Sequence, residues 1–151
     1  GIMNLDEKVL ESLVRKVVGE LMAAKMPELE KDIDPKTGIM SIKAEKVVCE
    51  KFDTGHINDK VYLKDVLSLD ESPRLGCGMM EMDNSAFEWT LKYDEIDYVI
   101  DGVLEIRLKD KTIRGEKGDI IFIPKDSDIV FATPSTVRFM YVTYPANWSE
   151  Q

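Results

Sequence analysis

The sequence predicts a mostly β chain, a barrel of short strands behind one N-terminal amphipathic α-helix. Three observations predict it. A four-residue apolar repeat of helical type runs from Asn4 to Met26 and nowhere else. From Ile39 onward the apolar runs are short, closely spaced and rich in β-formers, with Gly, Pro, Asn or Asp between them. These runs do not alternate with helical segments, as βαβ units would require.

The helix is expected over residues 4–26. Leu5, Val9, Leu13, Val17 and Leu21 form its apolar stripe, and Leu10, Val14 and Val18 widen it. Asn4 can cap the start, Asp6 and Glu7 suit the first turn, and Pro27 stops the run. The stripe fits either packing against the barrel or a partner, or a detachable docking role. Residues 27–41 read as a polar linker with Pro35 and Gly38. A barrel domain is expected over 42–149. Its strands are expected at Ile42–Val48, Lys60–Tyr62, Leu75–Met82, Phe87–Leu91, Ile96–Ile100, Val103–Leu108, Lys111–Arg114, Ile120–Ile123, Ile129–Ala132 and Val137–Thr143. Asp110-Lys111 reads as a tight hairpin turn, and Asp101-Gly102 as a break between two runs.

Composition narrows the function classes. Of 151 residues, 44% are hydrophobic, enough for a core, and 32% are charged, which argues against membrane residence. No run approaches the ~20 apolar residues that span a bilayer. The net charge of -9 repels phosphate backbones, so no nucleic-acid partner is expected. Cys49 and Cys77 lack metal or redox spacing and read as reduced thiols of a cytoplasmic protein without a secretory signal. Gly1 and Ile2 ahead of Met3 read as a trimmed or added start.

Two segments carry the most information. In Trp89–Gly102 a glutamate, Glu95, stands ahead of Gly102 across a β-rich run. In Gly118–Lys125 a glycine turn feeds a buried strand that Pro124 ends. Together they resemble the two motifs of the cupin superfamily, whose fold is a double-stranded β-helix, or jelly-roll barrel. Glu95, Gly102, Gly118 and Pro124 match motif positions. The motif histidines fall instead on Trp89 and Leu91, or on Glu88 and Thr90, and on Ile129; Asp126 replaces the turn glycine. The chain has one histidine, His56, in a polar loop outside both motifs. A three-histidine iron, manganese or zinc site is therefore impossible, because those metals need imidazole there.

A closer resemblance lies in Phe87–Asp97, Ile123-Pro124-Lys125, Val137–Val142 and Pro145-Ala146-Asn147-Trp148. These strings are similar to the EutQ family of cupin-type ethanolamine-utilisation proteins, over roughly residues 46 to 149. The resemblance implies a bacterial protein tied to a proteinaceous microcompartment, with shell or cargo proteins as partners. It also implies acetate kinase activity, with ATP, acetate and a divalent cation. Some members carry a longer region ahead of the helix. Neither a P-loop nor a protein-kinase glycine loop is present in this sequence. The competing expectation is a non-catalytic, metal-free adaptor. A homodimer paired through a sheet edge is expected on either reading.

The candidate site follows from strand alternation. Glu95, Asp97 and Val99 share one face, and the motif glutamate of the resembled fold faces the barrel interior. The two carboxylates would lie ~7 Å apart along the strand and need a proton, a basic side chain or a cation. Mg²⁺ held by Glu95 and Asp97 suits oxygen ligands and could meet a nucleotide. Glu95 and Asp97 are the expected catalytic residues. Trp89, Tyr93, Glu81, Tyr141 and Arg107 are the expected substrate-binding ones, with Thr143 on the same strand as Tyr141. Arg74 and Arg138 are further candidates for holding phosphate or carboxylate.

Overall fold

The computed structural model of the chain describes residues 7–17 and 29–151. Residues 7–17 form one helix, α1, inside the expected span; the expected ends at 4–6 and 18–26 lie outside the described residues. Its stripe has no cover among the described residues: Val9, Leu10, Leu13, Val14 and Val17 are 49–63% exposed. No helix among the described residues is long and apolar enough to cross a membrane.

The strands among the described residues are β1 (Lys31–Ile33), β2 (Met40–Ile42), β3 (Glu50–Lys51), β4 (Val61–Asp65), β5 (Gly76–Asp83), β6 (Ala86–Leu91), β7 (Asp94–Arg107), β8 (Thr112–Glu116), β9 (Ile120–Ile123), β10 (Ser127–Ala132) and β11 (Thr136–Tyr144). β1 and β2 pair only with each other, while the rest form one sheet in the order β3-β4-β5-β11-β7-β10-β6, with β8 and β9 also on β7. β7 is the shared element. Its first half pairs with β11 and β9, its second half with β8 and β10. The core lies between these two halves, where Val61, Leu91, Val99, Leu104 and Phe139 are each 0% exposed.

The bend in β7 comes from Asp101-Gly102, which does not reverse the chain as a hairpin would. Phe139 pairs with Val99 and Arg138 with Asp101, so Ile100 is an extra residue in the ladder. Gly102 follows at φ +80. The bulge flips the inward positions from Glu95, Asp97 and Val99 to Leu104 and Ile106. The expected Asp110-Lys111 turn joins β7 to β8, with the Leu108 amide donating to the Lys111 carbonyl at 2.8 Å.

The stretch read as a linker is more ordered than its polarity suggests. Asp34 accepts from the Thr37 amide at 3.0 Å and its hydroxyl at 2.6 Å, and Gly38 turns at φ +77 to close the β1–β2 hairpin. The expected strand Ile42–Val48 is instead the end of β2 followed by a 3₁₀ turn, Ala44–Lys46. Arg138 on the outer face of β11 donates to the Ala44 carbonyl at 2.8 Å, and Val47 packs with Val66 and Met79 in a second, smaller apolar layer. That side-chain docking replaces a ladder. β3 has two residues, too few to show a period.

Candidate functional site

β7 places the acid pair. In its first half Glu95 and Asp97 point inward while Ile96 and Tyr98 face outward, the reverse of the usual polar-out alternation. Glu95 is 5% exposed and Asp97 0%. Glu95 lies between Thr143 of β11 and Ile123 of β9; Asp97 lies between Tyr141 and Ile121. Burial among these neighbours penalises the charged forms. It pushes Glu95 up to about 7 and, with the Glu95 charge added, Asp97 well above the ordinary carboxylate range. Neither Asp97 oxygen meets a donor among the described residues, and the Thr143 hydroxyl is also unpartnered there. The group in hydrogen-bonding range of Asp97 is the Glu95 carboxyl, itself an acceptor when ionised. The pair therefore bonds only by sharing a proton.

Above Glu95 the walls are aromatic. Trp89 of β6 donates its indole N–H to the Tyr93 hydroxyl at 2.7 Å. Trp148, from the 3₁₀ turn Trp148–Glu150, has ring centroids of Trp89, Tyr93, Tyr141 and Phe52 at 6.0–6.5 Å. Phe52 closes on Trp89 at 5.7 Å. Tyr141 donates to Asp65 at the rim, and Gly78 makes room for the Tyr141 ring, since a Cβ there would lie 2.1 Å from its hydroxyl oxygen. Burial pushes both tyrosine hydroxyls upward, so they stay protonated at neutral pH. The space inside totals about 300 Å³ with its open mouth. Only about 20 Å³ of it is free, room for one or two waters. Among the described residues, no lysine, arginine or histidine lines it.

These observations sort the expected residues. Glu95, Trp89, Tyr93 and Tyr141 line one pocket, while Asp97, 0% exposed and paired with Tyr141, is not among the lining residues. Glu81 and Arg107 lie away from it. On β5 the inward positions are Gly78, Met80 and Met82, so Glu81 faces the outer layer, where Arg138 donates to it. Alternation continued from Glu95 would turn Arg107 inward, but the bulge at Ile100 turns it out, onto Glu105 at 2.9 Å. Arg74 and His56 are exposed. Of the alternative histidine registers, Trp89 and Leu91 point inward, Glu88 and Thr90 outward, and Ile129 pairs with Trp89.

The description "Ethanolamine utilisation protein EutQ" matches residues 5–150. This chain belongs to the EutQ family. A relative named Acetate kinase EutQ, from Clostridioides difficile (strain 630), is 47% identical over 99% of this chain and 98% of its own length. One of the same name from Salmonella typhimurium is 37% identical over 94% of this chain, which spans only 63% of that relative. The solved Clostridium difficile EutQ structure matches with a TM-score of 0.79 and 50% identity, over 83% of this chain and 93% of that one. The Schizosaccharomyces pombe Cnp3 cupin domain matches with a TM-score of 0.57 at 11% identity, over 85% and 91%; that likeness concerns the fold alone, which is the cupin fold.

In this EutQ-family barrel the acid pair does not accommodate hydrated magnesium. Mg²⁺ takes several oxygen ligands and keeps waters, and of the two acids only Glu95 is among the pocket's described lining residues, Asp97 being 0% exposed. No cluster of three or more His, Cys, Asp or Glu side chains among the described residues could hold a metal ion. Sequence reasoning left Phe52 and Trp148 out of the pocket. Phe52 gave no signal, because it stands alone beside a polar loop. Trp148 sits in a family-like string, which marked it as conspicuous without saying where it packs.

Proposed function

We propose that this EutQ-family chain transfers a phosphoryl group between ATP and acetate in ethanolamine utilisation. The observation that carries the reading is the 47% identity, over 98% of its length, to a relative named for that activity. In this reading acetate sits at the open mouth of the barrel pocket with its methyl group on the aromatic wall. The proton held by Glu95 and Asp97 is donated as a hydrogen bond to one acetate oxygen. The other oxygen attacks the γ-phosphorus; the new O–P bond forms as the bond to the β–γ bridging oxygen breaks, and ADP leaves. With no basic side chain among the described lining residues, the nucleotide and its cation stay outside the barrel in this reading. Trapping acetyl phosphate as its hydroxamate tests the activity. Glu95→Gln with Asp97→Asn should slow turnover roughly tenfold or more, since acetate loses its positioning partner. Unchanged turnover in that variant removes the pair from the machinery. A wild-type preparation no better than a chromatography blank removes the phosphotransfer reading.

A second reading is favoured by the exposed apolar stripe of α1: an adaptor of a bacterial microcompartment, with shell or cargo proteins as partners. A reporter fused to residues 4–26 should then gather at shells, and a diffuse reporter counts against it. Both readings take the chain as a homodimer. β9 is a sheet edge, and Ile96, Tyr98, Ile120 and Phe122 leave 42–69% of their surfaces exposed on its outer face. Phe122→Glu should halve the mass found by light scattering; an unchanged mass places the dimer contact elsewhere.

A further inference from the structure

We propose that Asp65 is a positioning residue of the barrel pocket: one of its oxygens latches Trp148 at the mouth, and the C-terminal turn that carries Trp148 swings aside to open the interior when that latch breaks.

Three neighbouring strands build the latch. Tyr141 of β11 stands beside Gly78 of β5, and Gly78 stands beside Asp65, the last residue of β4. Gly78 has no side chain, so the Tyr141 ring passes over it, and the Tyr141 hydroxyl donates to Asp65 Oδ1 on the far side. The Trp148 indole N–H donates to the same oxygen at 3.4 Å. Indole is a donor alone, and burial keeps the Tyr141 hydroxyl protonated, so both need an acceptor, which Asp65 supplies. A single oxygen thus fixes two aromatic walls of the pocket, although Asp65 is not itself among the lining residues.

The turn is built to move as a unit. β11 ends at Tyr144, and Ala146, 8% exposed, is seated against Gly76, where a Cβ would lie 3.3 Å from the Ala146 carbonyl oxygen. Beyond that anchor the other side-chain bonds are internal: Asn147 donates to Glu150 at 3.2 Å, and Gln151 donates to the Asn147 side-chain oxygen at 3.0 Å. Among the described residues, the one hydrogen bond that ties residues 147–151 to the barrel is the bond to Asp65. Trp148 also stands between unequal spaces. On its inner side the pocket has about 20 Å³ free; outside, the grooves it shares with Val66 and Leu67, and with Glu88 and Thr90, have about 350 and 440 Å³. Rotation of the turn about Ala146 therefore joins the interior to open space, and its return excludes water from Glu95. The gate stands without the phosphotransfer reading: opening observed in a chain that forms no acetyl phosphate sustains this inference and removes only the other.

Fluorine NMR of protein labelled with fluorotryptophan tests it. The chain has two tryptophans, so it gives two lines, and Trp148→Phe assigns them. In the wild type the surrounding rings should displace the Trp148 line from its position in urea-unfolded protein. Asp65→Leu keeps the bulk and removes the acceptor. It should move the line toward the unfolded position, the open fraction rising about fivefold or more, the weight of one lost hydrogen bond. Asp65→Asn keeps a carbonyl oxygen that can accept from both donors, and it should restore the wild-type line, a rescue that a packing role alone would not separate from Asp65→Leu. Trp148→Ala leaves Asp65 and Tyr141 bonded and serves if Asp65→Leu does not fold. The Trp89 ring lies 6.2 Å from Trp148, so its line should then show a larger solvent-isotope shift as water enters. An unmoved Trp148 line in Asp65→Leu, an Asp65→Asn protein that behaves as Asp65→Leu does, or a Trp89 line indifferent to the loss of Trp148 would each overturn the proposal.

Discussion

Between pH 5 and pH 8 the chain is expected to lose stability, and Glu95 and Asp97 are expected to be the reason. Burial raises both groups above their ordinary values of 4.5 and 3.8, Glu95 to about 7 and Asp97 in the same direction. A group whose folded value is raised contributes its stability below the unfolded value and loses it as pH climbs through the folded one. For Glu95 that window runs from 4.5 to about 7. From pH 5 to pH 8 this amounts to about 2 kcal/mol from Glu95 alone, roughly 6 °C in melting temperature for a chain of this size. Asp97 adds to it with the same sign. Exposed carboxylates such as Glu71, lowered by Lys31, work the other way, but they sit in water where such pairs contribute little. Scanning calorimetry across this range checks the slope. Glu95→Gln with Asp97→Asn should flatten it and leave the variant the more stable form at pH 8. A wild-type melting temperature that is level or rising toward pH 8 means the pair is already compensated in the folded chain.

Gly102→Val is expected to keep β7 from pairing with β11 across the bulge. Gly102 sits at φ +80, where a β-branched residue is strained, and a Cβ there would lie 2.0 Å from the Thr136 carbonyl oxygen and 2.9 Å from the Val137 Cα. Both obstacles are backbone of β11, the strand that pairs β7 across the bulge, so they cannot rotate away. Relief would require parting β7 from β11, the pair that carries both the register shift and the acid pair. The expected loss is roughly 3 kcal/mol or more, enough to unfold a marginal domain. Gly118 provides the contrast. It also has positive φ, +90, but nothing lies within 4 Å of its would-be Cβ. Gly118→Ala should cost only the backbone strain, about 1–2 kcal/mol. Urea denaturation of the two variants separates the effects. Equal midpoints would mean that the close approach at Gly102 carries no energetic weight.

The same two glycines show how much of the fold was legible in the chain. Gly118 and Pro124 bracket β9 as their chemistry demands, because a turn at positive φ and a ladder ended by proline are local events. Gly102 was visible as a breaker, yet whether it reverses or bends the strand depends on β11. The ladder fixes that by taking Ile100 as an extra residue, and the consequence reaches Arg107, which strand alternation would point inward. Residues 27–41 show the converse. Their polarity resembles a linker, but Asp34, Thr37 and Gly38 are hairpin-closing residues, and local side-chain bonds outweighed composition.

By itself the sequence determined that this barrel holds no three-histidine metal centre, since one histidine cannot make three ligands. It also determined, through alternation, that Glu95 and Asp97 share a face and that Glu81 and Tyr141 each have fixed strand neighbours. It did not determine which face is inside. Hydrophobicity along Glu95–Val99 favours burying Ile96 and Tyr98; the structure buries the acids instead. Only the curled sheet decides this, because its inner face is defined by strands far apart in sequence. The same curl carries Phe52 and Trp148 from distant positions onto the mouth of the pocket, while Glu81 and Arg107 face outward. The carboxylates could be read from the chain; that neither Asp97 oxygen has a hydrogen-bond partner among the described residues outside the acid pair is a property of the packing around it.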